Sequence, residues 1–531
     1  MATFLSMYEW GSTMIKYVAG IDAGTTGLKT IIFDLQGQAI GKDYEEYPCI
    51  TPRVGWVEQD VYCLWDALCH TVKGAIAKAG IDPKEIGSVG ISSQRGTFFA
   101  IDENWEPLHN SIVWSDGRAV EEVEWIKENI GVERYHKISG APVSGAWSYA
   151  KYKWVRDHQP ELYEKAWKFV NAQEWLLHKL GSEELFTDPA SLALNGMMDV
   201  ATLDWSKELL DAIDFDIDKL PPVKEPARQV GTISKKAAEL TGFAEGMAIC
   251  VGGGDQQCAA IGCGVTKEGT AEITIGTASV MVAAVDGVKE DPAHEVIFSG
   301  HAVPGHMDME GLAYATGVAL RWWRDVYGSP EVTVAKATDV DPYDIICMEA
   351  AKSPAGSRGY IFFPFFSSQV TPYYHDNARG GSLGISLAHN RADMARGVLE
   401  GGGYELRMIV EAMERVLGRP FDVIRLSGGG SKSPLWRQIL ADIFGRPVQC
   451  LKMADCGVLG AAILGASGAG IFESLQDAVD TMVHPTEMIT PNMNNYKMYT
   501  EMYEIFRDAF LAYRDKDIYN RLNTVCEKYW N

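Results

Sequence analysis

The chain has 531 residues, with 48 Lys+Arg against 71 Asp+Glu and a formal net charge of −23. Hydrophobic residues make up 47% and charged residues 22%, a globular composition that excludes a disordered chain. The acidic surplus argues against non-specific binding to nucleic acid or to an anionic membrane. It leaves room for an anionic ligand held by backbone amides or a bound cation.

The N-terminal stretch MATFLSMYEWGSTMIK has no basic n-region and too short an apolar run for a leader. No segment offers the ~18 uninterrupted apolar residues of a membrane span. The ten cysteines are scattered, and the closest spacings, Cys258/Cys263 and Cys63/Cys69, are not zinc-type pairs. Free thiols in a reducing cytoplasm are therefore expected.

Along the chain, the glycines gather at four places, each after an apolar, β-branched run. Tyr17 to Asp22 reads as a strand, Gly24-Thr25-Thr26-Gly27 as a tight turn, and Leu28 to Asp34 as a returning strand. Val61–Ala79 and Val120–Asn129 have helical periodicity. Leu220-Pro-Pro-Val-Lys-Glu-Pro226 reads as a connection. Ala248 to Val251 leads into Gly252-Gly-Gly254-Asp255-Gln256-Gln257, and Ala271 to Ile275 leads into Gly276-Thr277 and a further apolar strand. Ala392–Leu417 is again helical. Val423 to Ser427 precedes Gly428-Gly429-Gly430-Ser431, and a helix is expected from Pro434 to Phe444. A helical tail, Tyr496 to Tyr529, follows. Strands alternating with helices predict an α/β class. The two strand–Gly-Thr–strand units, 252 residues apart, suggest a duplicated hairpin, one per half.

Some motifs carry chemistry and others exclude it. There is no G-x4-G-K-[ST] loop, H-E-x-x-H or protein-kinase H-R-D loop. Gly380-Gly-Ser382-Leu-Gly384 fits G-x-S-x-G, but no apolar strand immediately precedes it, as a nucleophile elbow requires. The Asp22–Gly27 turn reads either as an ordinary hairpin or as a phosphate loop whose amides and threonine hydroxyls donate to the anion. In the latter case Asp22 could hold Mg²⁺, which takes few carboxylates and keeps several waters. Asp255 reads either as a helix N-cap or as a general base.

Taken in order, these pieces resemble the FGGY carbohydrate kinases of the actin-like ATPase superfamily. The resemblance runs from about Tyr17 to about Gly470. Gly55-Trp56-Val-Glu58-Gln59-Asp60, Gln94-Arg95, Trp114-Ser-Asp116-Gly-Arg118 and Asn377-Ala-Arg379-Gly380 with Gly384 look like further family segments. The resemblance implies a two-lobed fold with an RNase H-like core in each lobe, expected at 15–262 (sugar lobe) and 263–531 (nucleotide lobe). It implies ATP and Mg²⁺, with Asp22 organising metal and phosphate. Gly24, Thr25, Thr26, Gly276 and Thr277 would lie at the phosphates, and Gly428, Gly429, Gly430 and Ser431 at the adenosine. Asp255 would be the general base. Gln94, Arg95, Trp114, Asp116, Asp255 and Gln256 would contact the sugar, with Arg95 bonding sugar oxygens and not pairing a carboxylate. Homodimers are common in the family.

The acceptor is less well marked. Glycerol kinases follow Gln-Arg with Glu where this chain has Gly96, and xylulokinases place Met-His after the Gln where it has Arg95-Gly96. Trp114-Ser-Asp116-Gly-Arg118 looks like a ketose-kinase loop. His301 to Gly305, Arg321 to Asp325 and Ser427 to Asp442 look like autoinducer-2 kinases, though those carry Arg-Glu-Gly where this chain has Arg95-Gly96-Thr97. A small uncharged polyhydroxylated acceptor is expected. A ketopentose such as xylulose comes first, then the autoinducer dihydroxypentanedione, then glycerol or another polyol. A sugar-responsive actin-like regulator is the non-enzymatic alternative.

Overall fold

The two strand–Gly-Thr–strand units each seed a sheet, in a computed structural model that describes residues 9–10 and 13–530. Residues 1–8 and 11–12, part of the N-terminal stretch weighed above as a leader, lie outside them. In the first half, the strands are Tyr17–Ala23 (β1), Gly27–Asp34 (β2), Ala39–Glu46 (β3), Ile86–Ser93 (β4), Gln229–Thr232 (β5) and Ala248–Gly254 (β6). Their order is β5-β6-β4-β1-β2-β3. The β1–β2–β3 meander is antiparallel, while β4 and β6 run parallel to β1.

The second half repeats the scheme with Thr270–Ile275 (β7), Ser279–Val285 (β8), Ile297–Gly300 (β9), Met307–Ala313 (β10), Val423–Ser427 (β11), Val448–Leu451 (β12) and Pro485–Ile489 (β13). Their order is β9-β10-β8-β7-β11-β12-β13. Here β7, β8 and β10 are antiparallel, and β11 and β12 run parallel to β7. The shared order, meander followed by parallel strands, is the structural form of the duplication expected from the two hairpins.

Amphipathic helices cover the sheets. Val61–Ala79 (α1), with Asp60 Oδ1 accepting from Tyr62 N–H at 3.0 Å, buries its apolar face on the first sheet. Asp255–Gly262 (α2) leaves the end of β6, and Thr316–Val326 (α3) follows β10. Arg391–Leu417 (α4) and Pro434–Phe444 (α5) flank the second sheet. The tail is two helices, Met493–Asp515 and Ile518–Trp530, with Asp517 at φ 57 between them. Among the described residues no helix is long and apolar enough to cross a membrane.

Cys456–Gly468 (α6) joins the halves. It follows β12 in sequence, yet packs on β1, β4 and α2. Glycines make this approach possible. A Cβ on Gly20 would lie 2.1 Å from Val458 O, one on Gly90 2.0 Å from Ala461 O, and one on Gly460 1.8 Å from Cys258 O. Nearby, Lys29 of β2 donates to Asp455 at 2.6 Å, a charge pair at the head of α6.

The G-x-S-x-G look-alike is no elbow: Gly381–Leu383 is an exposed strand paired with Ile361–Phe363. The neighbouring Asn377 and Arg379 hydrogen-bond Asn520 and Asn523 of the last helix.

Candidate active site

Each Gly-Thr unit closes its hairpin with a three-residue loop, Gly24-Thr25-Thr26 and Gly276-Thr277-Ala278. The second loop stands between two cavities. On one side lies a space of about 520 Å³ reached by Gly276, Thr277, Gly429 and Gly430, with Gly317, Tyr343 and Trp436 among its walls. On the other lies a space of about 160 Å³ bounded by Ala278, Ser279 and Val280 of the second half and by Thr25, Gln94, Arg95, Trp114, Asp255 and Gln256 of the first.

The larger cavity is built by close backbone packing. A Cβ on Gly317 would sit 2.0 Å from Gly276 O, so only glycine lets the start of α3 reach the loop. The amides of Gly317 and Val318 donate to Thr277 O at 3.2 and 3.1 Å. Gly428 has φ +76 and passes within 2.7 Å (Cβ) of Ile275 O, a left-handed turn that favours glycine. Within the Gly-Gly-Gly-Ser run, Gly429 and Gly430 face the cavity. Ser431 does not: it is buried and donates to Gly428 O at 2.7 Å.

The smaller cavity is an amphipathic slot. Trp114, Trp147, Leu194, Leu312 and Tyr314 supply apolar and aromatic wall. Two buried oxygens of wall residues, Gln256 Oε1 and Ser279 Oγ, have no partner among the described residues. Buried polar atoms in native sites rarely stay unpaired, so both oxygens are left for a bound group to pair. Thr25 Oγ1 donates to Gln94 Oε1 at 3.0 Å and accepts from Trp114 Nε1 at 3.0 Å. Lys151, buried behind this wall, donates to Trp114 O at 2.6 Å and to Ala146 O at 3.1 Å. Burial pushes its ammonium down to about 7.

Asp255 is the first residue of α2 and does not cap it, which removes the N-cap alternative. Its Oδ1 takes Arg95 Nε at 3.0 Å and the Gln256 amide at 2.9 Å. The side chain keeps 35% exposure toward the cavity. Gly254 is needed because a Cβ there would lie 2.4 Å from Arg95 Cδ. Arg95, only 2% exposed, also reaches Glu310 of β10 through Nη1 at 2.5 Å. The guanidinium therefore pairs two carboxylates, contrary to the expectation that it would be free for sugar oxygens.

Asp116 is also displaced from its expected role. Its carboxylate is fully buried, accepts Val57 N–H and is clasped by Arg118 at 2.8 and 2.9 Å. Arg118 in turn lies over Trp56 and pairs Glu58 at 2.8 Å. The two tryptophan motifs thus lock each other, and of the second only Trp114 reaches the cavity. Gly24 and Thr26 shape the first hairpin, where Tyr47 hydrogen-bonds both, without bounding either cavity.

Asp22, at the end of β1, accepts Ser92 Oγ at 2.9 Å. Burial, reinforced by the charge of Asp255, pushes its carboxyl up to about 6. Crowded acids of this kind suit a cation. Among the described residues no group of three or more His, Cys, Asp or Glu is set to hold a metal.

Sequence reading missed Tyr343, Gly317 and Trp436 at the larger cavity, and Leu194, Leu312 and Tyr314 at the smaller. Gly317 and Trp436 fall in stretches that resemble autoinducer-2 kinases, but no site role was read for them. Only the fold brings them in.

Comparison with known proteins identifies the family. Residues 17–262 match the N-terminal domain of the FGGY family of carbohydrate kinases and residues 268–469 its C-terminal domain. An autoinducer-2 kinase of Klebsiella pneumoniae is 30% identical over 501 residues, 92% of each chain. A gluconokinase of Bacillus subtilis is 29% identical, covering 93% of this chain and 95% of its own. The ligand-bound xylulose kinase of Lactobacillus acidophilus superposes with a TM-score of 0.85 at 25% identity, over 94% of this chain and 99% of that one. The chain belongs to the FGGY family of carbohydrate kinases and has the two-lobed actin-like ATPase fold, a phosphotransferase that acts on a sugar hydroxyl with ATP as donor.

Proposed function

We propose that the enzyme transfers the terminal phosphate of ATP to a hydroxyl of a small, uncharged polyhydroxylated acceptor, a ketopentose such as xylulose. The observation that carries this is the shared wall: loop 276–278 touches the larger cavity with Gly276 and Thr277 and the smaller with Ala278. ATP lies in the larger cavity, its adenosine against Gly429 and Gly430, its phosphates at Gly276 and Thr277. The acceptor lies in the smaller one. Asp22 fits Mg²⁺, which when bound neutralises phosphate charge.

Asp255 takes the proton of the attacking hydroxyl. Arg95 and the Gln256 amide hold Oδ1, leaving Oδ2 to face the acceptor. Gln256 Oε1 and Ser279 Oγ take acceptor hydroxyls, and Trp114 and Trp147 cover its carbon face. Phosphoryl transfer needs mainly positioning and charge neutralisation, and a single base between two preformed cavities provides the former. The smaller cavity's cation, Arg95, is already paired with Asp255 and Glu310, which favours a neutral acceptor over an acidic one such as gluconate.

A second reading, phosphorylation of the autoinducer dihydroxypentanedione, rests on the 30% identity to the Klebsiella enzyme along nearly the whole chain. Lobe limits of 15–262 and 263–531, and a reducing cytoplasm suited to ten unpaired cysteines, complete the proposal. ADP release with ATP, Mg²⁺ and a panel of xylulose, ribulose, dihydroxypentanedione, glycerol and gluconate tests it. Turnover is expected with a ketopentose. Preference for dihydroxypentanedione establishes the second reading, and preference for gluconate overturns the neutral-acceptor assignment.

A further inference from the structure

Beneath Asp255 lies a layer of buried acids. Glu310 and Asp308 project from β10, both fully buried. Glu310 Oε1 accepts from Arg95 Nη1 at 2.5 Å and Gln257 Nε2 at 2.9 Å and lies 3.1 Å from Ser299 Oγ, while Oε2 has no partner among the described residues. Gln257 and Ser299 also hold Asp308, at 3.0 and 2.5 Å.

The arrangement crosses the lobes. Arg95 follows β4 of the first sheet, whereas Glu310 belongs to β10 of the second. The guanidinium is strung between them, Nε on Asp255 and Nη1 on Glu310. A buried guanidinium with one carboxylate alone would be free to turn its fork fully onto that partner. With Nη1 anchored on Glu310, the guanidinium is fixed in the pose that gives Nε to Asp255 Oδ1.

We propose that Glu310 is a positioning residue for phosphoryl transfer: it anchors Arg95 in the pose whose Nε–H holds Asp255 Oδ1, so that Oδ2 is turned to the acceptor. This rests on the reading of Asp255 as the base. Burial beside Glu310 pushes Asp308 up. Asp308 therefore tends to hold its proton, and it is Glu310 that Arg95 reaches.

The test is a cycle of Glu310→Gln, Arg95→Met and the double variant, with steady-state rates for ATP and xylulose, or dihydroxypentanedione where xylulose is not turned over. Glu310→Gln is expected to lower kcat by roughly ten- to a hundredfold, the scale of a misaligned catalytic group, with the KM for ATP unchanged within about twofold. Because Glu310 acts through Arg95, Glu310→Gln should cost nothing further once Arg95 is Met. Glu310→Asp, which keeps the charge, should recover part of the lost kcat, and it replaces Glu310→Gln in the cycle if that variant does not fold. Wild-type kcat in Glu310→Gln, or an undiminished loss in the Arg95→Met background, overturns the proposal. Asp255→Asn is measured alongside. If it is active, the base reading itself fails. If it is inactive while Glu310→Gln is normal, only the role of Glu310 fails.

Discussion

Arg95 Nε meets Asp255 Oδ1 at 3.0 Å, across a glycine that no other residue could replace without striking the arginine stem. One side chain comes from the turn after β4, the other from the first residue of α2. The contact is therefore made only when β4 and β6 pair in register. It fixes one carboxylate oxygen, Oδ1, between Arg95 Nε and the Gln256 backbone N–H.

Gln256 Oε1 is buried at the smaller cavity without a donor among the described residues. Gln256→Leu is expected to raise the acceptor KM about tenfold or more, the scale of a lost hydrogen bond in a polar site. The KM for ATP should stay near wild type. Initial-rate kinetics with each substrate varied in turn give the answer, and an unchanged acceptor KM removes Gln256 from the sugar site.

Lys151 ties Trp114 O and Ala146 O behind the cavity wall. Lys151→Met leaves both carbonyls without a donor, so acceptor affinity is expected to fall about tenfold while ATP affinity holds. The lysine also has a stability signature. Its native pKa, pushed down to about 7 by burial, lies below the unfolded value. Between these two values the unfolded chain binds more protons, and stability rises with pH. The Tm of wild type relative to Lys151→Met should therefore increase from pH 7 to pH 10. A pH-independent difference would contradict this.

Gly90 lets α6 lie against the first sheet. Gly90→Val forces its side chain onto Ala461 O, and a destabilisation of about 1–3 kcal/mol or more is expected from overpacking. Denaturant unfolding measures it. A variant as stable as wild type would show that the lobes separate there without cost.

Glu405, buried in α4, has Oε2 without a donor, and burial pushes its carboxyl up to about 8. The native value lies above the unfolded one, so the native state keeps a proton that the unfolded chain releases. Stability from this group falls as pH rises through that window. Glu405→Gln lacks the penalty. Its Tm advantage over wild type should be small at pH 5 and larger at pH 8, and thermal melts at the two pH values decide the matter.

Much of this was legible in the sequence because it is local. The hairpins at Gly24 and Gly276, the helices Val61–Ala79 and Pro434–Phe444, and the glycine turn before α5 follow from short-range patterns of apolar residues and turn formers. What escaped is set by distant partners. Gly252 to Gly254 read as a glycine run after the strand, but they are strand residues, with Gly252 kept small by Ile91 O and Gly254 by the Arg95 stem. Asp116 read as a sugar ligand because its motif is shared, and nothing local shows that Val57 and Arg118 consume its oxygens. The seat of α6 on the opposite sheet left no trace beyond its small residues. Tyr343 and Tyr314 sit outside any motif.

The most direct measurement is the single-turnover rate of Asp255→Asn beside wild type, with ATP bound and the best acceptor of the panel. Expected is a loss of roughly a hundredfold or more in phosphoryl transfer, the contribution of a general base, with ATP affinity by calorimetry unchanged. Transfer at the wild-type rate would contradict the assignment of Asp255 as the base, and with it the reading of the smaller cavity as the place where the hydroxyl is activated.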